Sequence, residues 1–306
     1  MQPSNTSSLT ETEWQEAHLR LLSGRLAPLA ALPDGLVHRD TSGLHDIRIL
    51  KVAGQLHYYF HNASNGDLEG PMSRMALDRP LHLLAQYTQA ALLALAWKPE
   101  PAQICLLGLA GGRLSLVLYH HFPRAAIVNV DIDPAAAPIA QQFFGVTLDQ
   151  RQRSVVADAR DYLEQGDPGR HFDLIIMDAF RDERDRLNRL ATGGFYARCR
   201  ERLAPGGVLA VNLLKSDPLF WAKIKTFQHS FRHGLICRCK HGVVLLGNDR
   251  LRLSPGEITR RLATVQQRRL FSFPLAEHAA DLVACRALPN YDEQVWRAAP
   301  LLDDAP

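Results

Sequence analysis

Ile104-Cys105-Leu106-Leu107-Gly108-Leu109-Ala110-Gly111-Gly112 reads as a buried β-strand running into a glycine-rich turn, and three acids follow it: Asp131, Asp158 and Asp178. Each closes a short apolar run, Ala126 to Val130, Val155 to Ala157 and Leu174 to Met177 respectively. Four strand ends therefore carry polar chemistry. The glycines permit a tight turn from strand to helix and let bare backbone N–H groups approach a ligand. An acid about 20 residues further on, closing the second strand, can accept hydrogen bonds from both ribose hydroxyls, and Asp131 stands at that distance. The dinucleotide pattern G-x-G-x-x-G is not met, because Ala110 and Arg113 stand at its second and third glycines, so a pyrophosphate cofactor loses favour. Acids at the third and fourth strand ends suit an adenine amino group and a cationic tail, as in S-adenosylmethionine or its decarboxylated form. The alternative is a Rossmann-like sheet whose glycines serve packing and whose acids are solvated strand ends.

The surrounding pattern supports an α/β fold. Strands at 103–108, 126–131, 154–157, 173–178 and 207–213 alternate with helices ending near Phe122, Phe144, Glu164 and Leu203, the rhythm of a doubly wound parallel sheet. After a helix around 222–231, the runs 235–238 and 243–246 form an antiparallel hairpin. We therefore expect a mostly parallel seven-stranded sheet ending in that hairpin, the class I methyltransferase-like arrangement. Pro205-Gly206-Gly207 reads as a turn before a strand.

Four blocks organise the chain. Residues 1–33 form an N-terminal helical segment, which Pro28 and Pro33 break. Residues 34–79 form a small β appendage, a hairpin over Ile47 to Phe60 turning at Gly54, followed by a loop at Gly66 to Pro71. Residues 80–250 form the nucleoside-binding domain, entered by a helix from Pro80 to about Trp97. Residues 251–306 form a C-terminal helical tail, opened by the capping-box spacing of Ser254 and Glu257.

Composition narrows the classes. The 306 residues are 46% hydrophobic and 22% charged, ordinary for a globular protein, and a net charge of +3 from 35 basic and 32 acidic residues is too balanced for a nucleic-acid footprint. The mixed-sign run from Arg181 to Arg189 reads as a solvated face. The polar N-terminus lacks a signal-peptide pattern, and Ala90 to Trp97 is too short an apolar run to span a bilayer, so no membrane partner is expected. Five cysteines without a CxxC pair fit a reduced cytoplasm. Cys237 and Cys239 read as small apolar strand residues rather than metal ligands, and His120-His121 as a helix end, so no metal is expected.

Several of these segments resemble one family, the polyamine aminopropyltransferases or spermidine synthases, in particular their divergent bacterial spermidine synthase-like branch. The resemblance covers roughly 47–247. Gly108-Leu109-Ala110-Gly111-Gly112 is similar to the family's glycine loop, Val130-Asp131-Ile132-Asp133-Pro134 to its ribose-binding strand end, and Asp158-Ala159-Arg160 to its adenine-side acid. Asp178-Ala179-Phe180 is similar to the loop carrying the catalytic aspartate, and Tyr87 in Ala85-Gln86-Tyr87-Thr88 to a tyrosine lining the amine pocket. The resemblance implies cofactor contacts from Gly108, Ala110, Gly111, Gly112, Asp131, Ile132, Asp158 and Ala159. It implies catalysis by Asp178, a small-molecule amine acceptor held by Tyr87 and Asp182, and decarboxylated S-adenosylmethionine or S-adenosylmethionine as cofactor. A homodimer is compatible with this reading.

The departures from the family are specific. Gly111 stands where the family places an acid that holds the amine of the decarboxylated cofactor, Met72 where it has a glutamine, and Arg181 where it favours small residues and a further acid, which Asp182 or Glu183 could restore. With Arg113 beside an acidless loop, the carboxylate of intact S-adenosylmethionine becomes acceptable, which keeps methyl transfer open beside aminopropyl transfer. A non-catalytic nucleoside-binding module is the third reading.

Overall fold

The computed structural model describes residues 10–166, 169–179, 189–284 and 293–303. Helix α1 (Glu11–Ala31) starts at a reciprocal cap between Thr10 and Glu13 and runs past Pro28, where the sequence suggests a break. Pro28 costs the helix its bond to the Gly24 carbonyl four residues back, and the helix ends three residues later. The buried Lys51 ammonium takes up the end of the helix by donating to the carbonyls of Ala30 and Leu32.

The β appendage is larger than a hairpin. Strands β1 (Gly35–Asp40), β2 (Asp46–Val52), β3 (Gln55–His61) and β4 (Leu68–Ala76) form an antiparallel sheet in sequential order. The expected hairpin is β2–β3, and the 66–71 stretch read as loop lies largely in β4. Pro71 is tolerated because β4 is an edge strand whose pairing with β3 shifts between Tyr58 and Phe60, so no ladder bond depends on its missing N–H.

The main sheet contains β5 (Gln103–Leu107), β6 (Ala126–Asp131), β7 (Gln152–Val156), β8 (Phe172–Met177), β9 (Leu203–Leu214), β10 (His233–Arg238), β11 (Gly242–Asn248) and β12 (Leu282–Val283). Their order is β12-β10-β11-β9-β8-β5-β6-β7, with β9 through β7 parallel and the β10–β11 hairpin antiparallel. The doubly wound, mostly parallel α/β architecture is as expected, with one more strand: β12 pairs with β10 and covers an edge that seven strands would leave open. Pro205 to Gly207 lie within β9 rather than in a turn ahead of it.

Strand alternation sends side chains to both faces. Ile104, Leu106, Leu174 and Ile176 pack with α2 (Gln86–Ala91), the 3-10 turn at Leu92–Ala96, α3 (Arg113–His121) and α8 (Pro255–Arg269). Cys105, Leu107, Ile175 and Met177 pack on the other face with α5 (Ala159–Gln165), α6 (Gly193–Arg202), α7 (Phe220–Ser230) and α9 (Glu293–Ala298). A third cluster joins Leu22 and Leu26 of α1 and Ile47 and Ile49 of β2 to Ile139 and Phe143 of α4 (Ala136–Phe143), fixing the appendage over the carboxyl edge of the sheet. The helix read from Pro80 begins only at Gln86, because Pro80 and His82 turn their carbonyls to Arg113. Helix α8 buries Ile258, Leu262 and Val265 in the first cluster, so this part of the C-terminal segment is core. Among the described residues no helix is long and apolar enough to cross a membrane.

Candidate active site

The carboxyl ends of β5, β6, β7, β8 and β9 open into one cavity of about 780 Å³, roofed by β4 and closed at one side by α2. It lies where strand order reverses between β5 and β8, the place at which open α/β sheets bind ligands. Gly108, Ala110, Gly112, Asp131, Ile132, Asp158, Ala159, Tyr87 and Asp178 all line it. Asp182 lies outside the described residues.

The glycine loop is held down from three sides. Gly108 has φ +95°, and a Cβ there would stand 2.5 Å from the Asp178 carbonyl oxygen, so only glycine lets β5 and β8 meet at this point. Asp131 Oδ2 accepts from the backbone N–H groups of Leu109 at 2.8 Å and Ala110 at 3.2 Å, while Oδ1 accepts from Asp133 at 2.9 Å. The proposed ribose acid thus also shapes the loop, and its Oδ1, with one donor, keeps a second lone pair.

Gly111 is capped from above by the appendage. Its N–H donates to Ser73 Oγ at 3.1 Å, and an added Cβ would meet Ser73 Cβ at 2.7 Å and Phe144 Cδ1 at 3.1 Å. The position at which the resemblance implies an acid is thus filled by Ser73 of β4. Asp158 is the N-cap of α5, its Oδ1 accepting from Arg160 at 2.8 Å and Asp161 at 3.3 Å.

Asp178 stands apart from the other acids. Its Oδ1 accepts from Asn212 Nδ2 at 2.9 Å, and the Tyr87 hydroxyl lies near enough to the same carboxylate to favour its ionised form. Burial pushes the Asp178 carboxyl up to about 6, against the opposing pull of Asn212 and Tyr87. Burial and the neighbouring Asp178 charge hold the Tyr87 phenol well above its ordinary value, so it stays a donor.

Asn212, Ser73, Arg74 and Lys240 line the cavity without having been singled out in the sequence. Asn212 closes the apolar run Val208 to Val211, the same signal that marks the three acids. Ser73, Arg74 and Lys240 carry no local signature, since they arrive from the appendage and from the β10–β11 turn. Met72 lines the cavity beside Ser73.

The chain is 30% identical over 167 residues to the polyamine aminopropyltransferase of Chromobacterium violaceum, a match covering 54% of this chain and 62% of that one. It is 36% identical over 139 residues to the mouse eEF1A lysine and N-terminal methyltransferase, covering 41% of this chain and 20% of the relative. The structure of spermidine synthase from Thermotoga maritima superposes with a TM-score of 0.60 at 17% identity, covering 86% of this chain and 87% of that one. No family model matches the chain. It spans less than two thirds of the length of the curated relatives cited. The resemblance carried by the strand-end motifs thus holds in sequence and in fold: the chain is similar to transferases of the polyamine aminopropyltransferase kind, built on the sheet they share with methyltransferases.

Proposed function

We propose that this protein transfers an alkyl group from an S-adenosylmethionine-type cofactor to an amine, in the aminopropyl mode. The observation that carries the reading is Asp178, a carboxylate with a pKa near 6, held by Asn212 and Tyr87 in the cavity that also contains the glycine loop. The residues fit such a cofactor. The cavity falls within the ~300–1,000 Å³ of small-molecule pockets, the backbone is bare at Gly108, and Asp131, Ile132, Asp158 and Ala159 offer ribose and adenine contacts along one edge.

When bound, the cofactor supplies an alkyl carbon on a positively charged sulfur, which departs as a neutral thioether as the acceptor nitrogen attacks. The amine must shed a proton to expose its lone pair, and Asp178, ionised at neutral pH and half-buried, is placed to receive it. Asn212 and Tyr87 fix the direction of the carboxylate, and the Tyr87 ring offers a face to the amine. Asp182 is proposed as a second acceptor-side acid. Positioning does most of the work in a displacement of this kind. Four described cysteines are buried and unpaired, which suits a reducing, cytoplasmic setting.

Methyl transfer is the second reading, favoured by Ser73 filling the space beside Gly111 where the decarboxylated cofactor's amine would need an acid. Incubation of the protein with each cofactor and a panel of primary amines, read by mass spectrometry, separates the two. 5′-Methylthioadenosine released from the decarboxylated cofactor supports aminopropyl transfer. S-adenosylhomocysteine released from the intact one supports methyl transfer. Binding of both nucleosides without turnover of either leaves the binding-module reading.

A further inference from the structure

Two cations stand at the mouth of the cavity, on the side of Tyr87 and Asp178. Arg74 comes from β4 of the appendage and Lys240 from the turn between β10 and β11, and both line the cavity as exposed side chains. The Arg74 charge reaches the Tyr87 phenol, and the Lys240 backbone N–H donates at 2.8 Å to Oε1 of Gln86, the residue before Tyr87 on α2. The same turn leads into Gly242, which pairs with Leu214, two residues beyond Asn212. Among the described residues neither side chain has an ion-pair partner, whereas Arg48 and Lys98 are held by Asp46 and Asp173. The other carboxylates lining the cavity, Asp131, Asp133 and Asp158, are committed to backbone N–H groups near the ends of β6 and β7. Residues 180–188 carry three arginines and three acids, so that stretch adds no net charge.

A diamine matches this arrangement poorly. One nitrogen can lie at Asp178 inside the cavity, but the ammonium at its other end then meets Arg74 and Lys240 at the mouth, where a concave wall of one sign concentrates the field. An oxyanion at that end is attracted instead, through charge-assisted hydrogen bonds. We propose that Arg74 and Lys240 select an acceptor with an amine at one end and an oxyanion, a carboxylate or a phosphate, at the other. The inference rests on the transferase reading above and deepens it by naming the acceptor class. Asp178, with Asp182 in that reading, serves the attacking nitrogen. Arg74 and Lys240 act on the opposite end and take no part in the chemistry.

Initial rates with four amines test this: 4-aminobutyrate, 2-aminoethyl phosphate, 1-aminobutane and 1,4-diaminobutane, each offered with intact and with decarboxylated S-adenosylmethionine. The proteins are wild type, Arg74→Ala, Lys240→Ala and the double reversal of Arg74→Glu with Lys240→Glu. Both side chains are exposed, so these variants should fold as wild type does, which thermal unfolding checks. In wild type at least one of the two oxyanion-bearing amines should show a kcat/KM about fivefold or more above that of 1-aminobutane and of 1,4-diaminobutane, the scale of two exposed charge pairs. Which of the two it is tells a carboxylate acceptor from a phosphate one. Raising the ionic strength should shrink the advantage, each alanine variant should lose part of it, and the double reversal should turn it toward the diamine. No advantage in wild type, or an advantage that survives the double reversal, overturns the inference and leaves the transferase reading intact, because product still forms. No product from any of the four amines with either cofactor removes the transferase reading, and the acceptor class with it.

Discussion

Asn212 Nδ2 donates to Asp178 Oδ1 at 2.9 Å, joining the ends of two adjacent parallel strands, β9 and β8, across the mouth of the cavity. The bond stabilises the ionised form of a carboxylate that burial would otherwise protonate. In the proposed reaction this leaves Asp178 ionised at neutral pH with enough proton affinity to serve as the base.

Replacing Asp178 with Asn keeps the shape and removes the base. Turnover on an identified acceptor should fall by about 10²–10⁴-fold, with cofactor affinity changed little. Single-turnover kinetics beside calorimetric titration checks the split. Full turnover in a folded Asp178→Asn protein would remove this residue from the mechanism.

The pH profile carries the second prediction. In the proposed mechanism Asp178 acts ionised, and with its pKa raised to about 6, activity should fall as pH drops through 6. Asn212→Leu removes a group that lowers this pKa, so the acidic limb should move to higher pH, and in Asp178→Asn it should vanish. A limb unmoved in Asn212→Leu would show that Asn212 has only a packing role.

How much of this was legible in the sequence depends on where the partners lie. Asp131, Asp158 and Asp178 stood out because each terminates an apolar run, a local signal that survives without tertiary context. Asn212 terminates such a run as well, but an amide announces less chemistry than an acid. Strand β4 was hidden by Gly70 and Pro71, which read as turn residues and are accommodated only because β4 lies at a sheet edge. Ser73 over Gly111 could not be foreseen, since the contact joins residues 38 positions apart through the docking of two sheets.

Asp131 has two roles that one substitution conflates. Its carboxylate holds the glycine loop through Leu109 and Ala110, and in our reading it also binds the ribose. Asp131→Ala should weaken adenosyl binding by at least about tenfold, given about 1.5–3 kcal/mol for a charged hydrogen bond. A 2′,3′-dideoxy nucleoside separates the roles. If ribose contact matters, wild type discriminates against the dideoxy ligand and Asp131→Ala does not. Equal discrimination in both proteins would leave Asp131 a loop brace only.

Gly111 and Ser73 should be coupled. Gly111→Ala places a Cβ at 2.7 Å from Ser73 Cβ and 3.1 Å from Phe144 Cδ1, an overpacking that costs about 1–3 kcal/mol. Ser73→Gly removes that Cβ, so the double variant should recover part of the loss in thermal unfolding, with an interaction energy of at least about 0.5 kcal/mol. Additive effects would mean that the appendage yields freely at this point.

The last prediction concerns acid stability. His18 and His120 face each other at 2.9 Å between ring nitrogens under Trp14, with His121 adjacent, and all three are buried. Burial, with mutual repulsion added for His18 and His121, lowers their pKa values to about 3 for His18, 4 for His120 and 3 for His121. The unfolded chain, with imidazoles titrating near 6.5, therefore binds more protons than the folded one at mildly acidic pH. Stability is complete above 6.5 and declines as pH falls below it, by a few kcal/mol between pH 7 and 5 if all three contribute. Urea unfolding at a series of pH values measures the slope. His121→Gln should flatten it, because an amide fills similar space without titrating. An unchanged slope in that variant would mean that His121 takes up its proton in the folded protein as readily as in the unfolded chain, and that the interior around Phe271 is open to water.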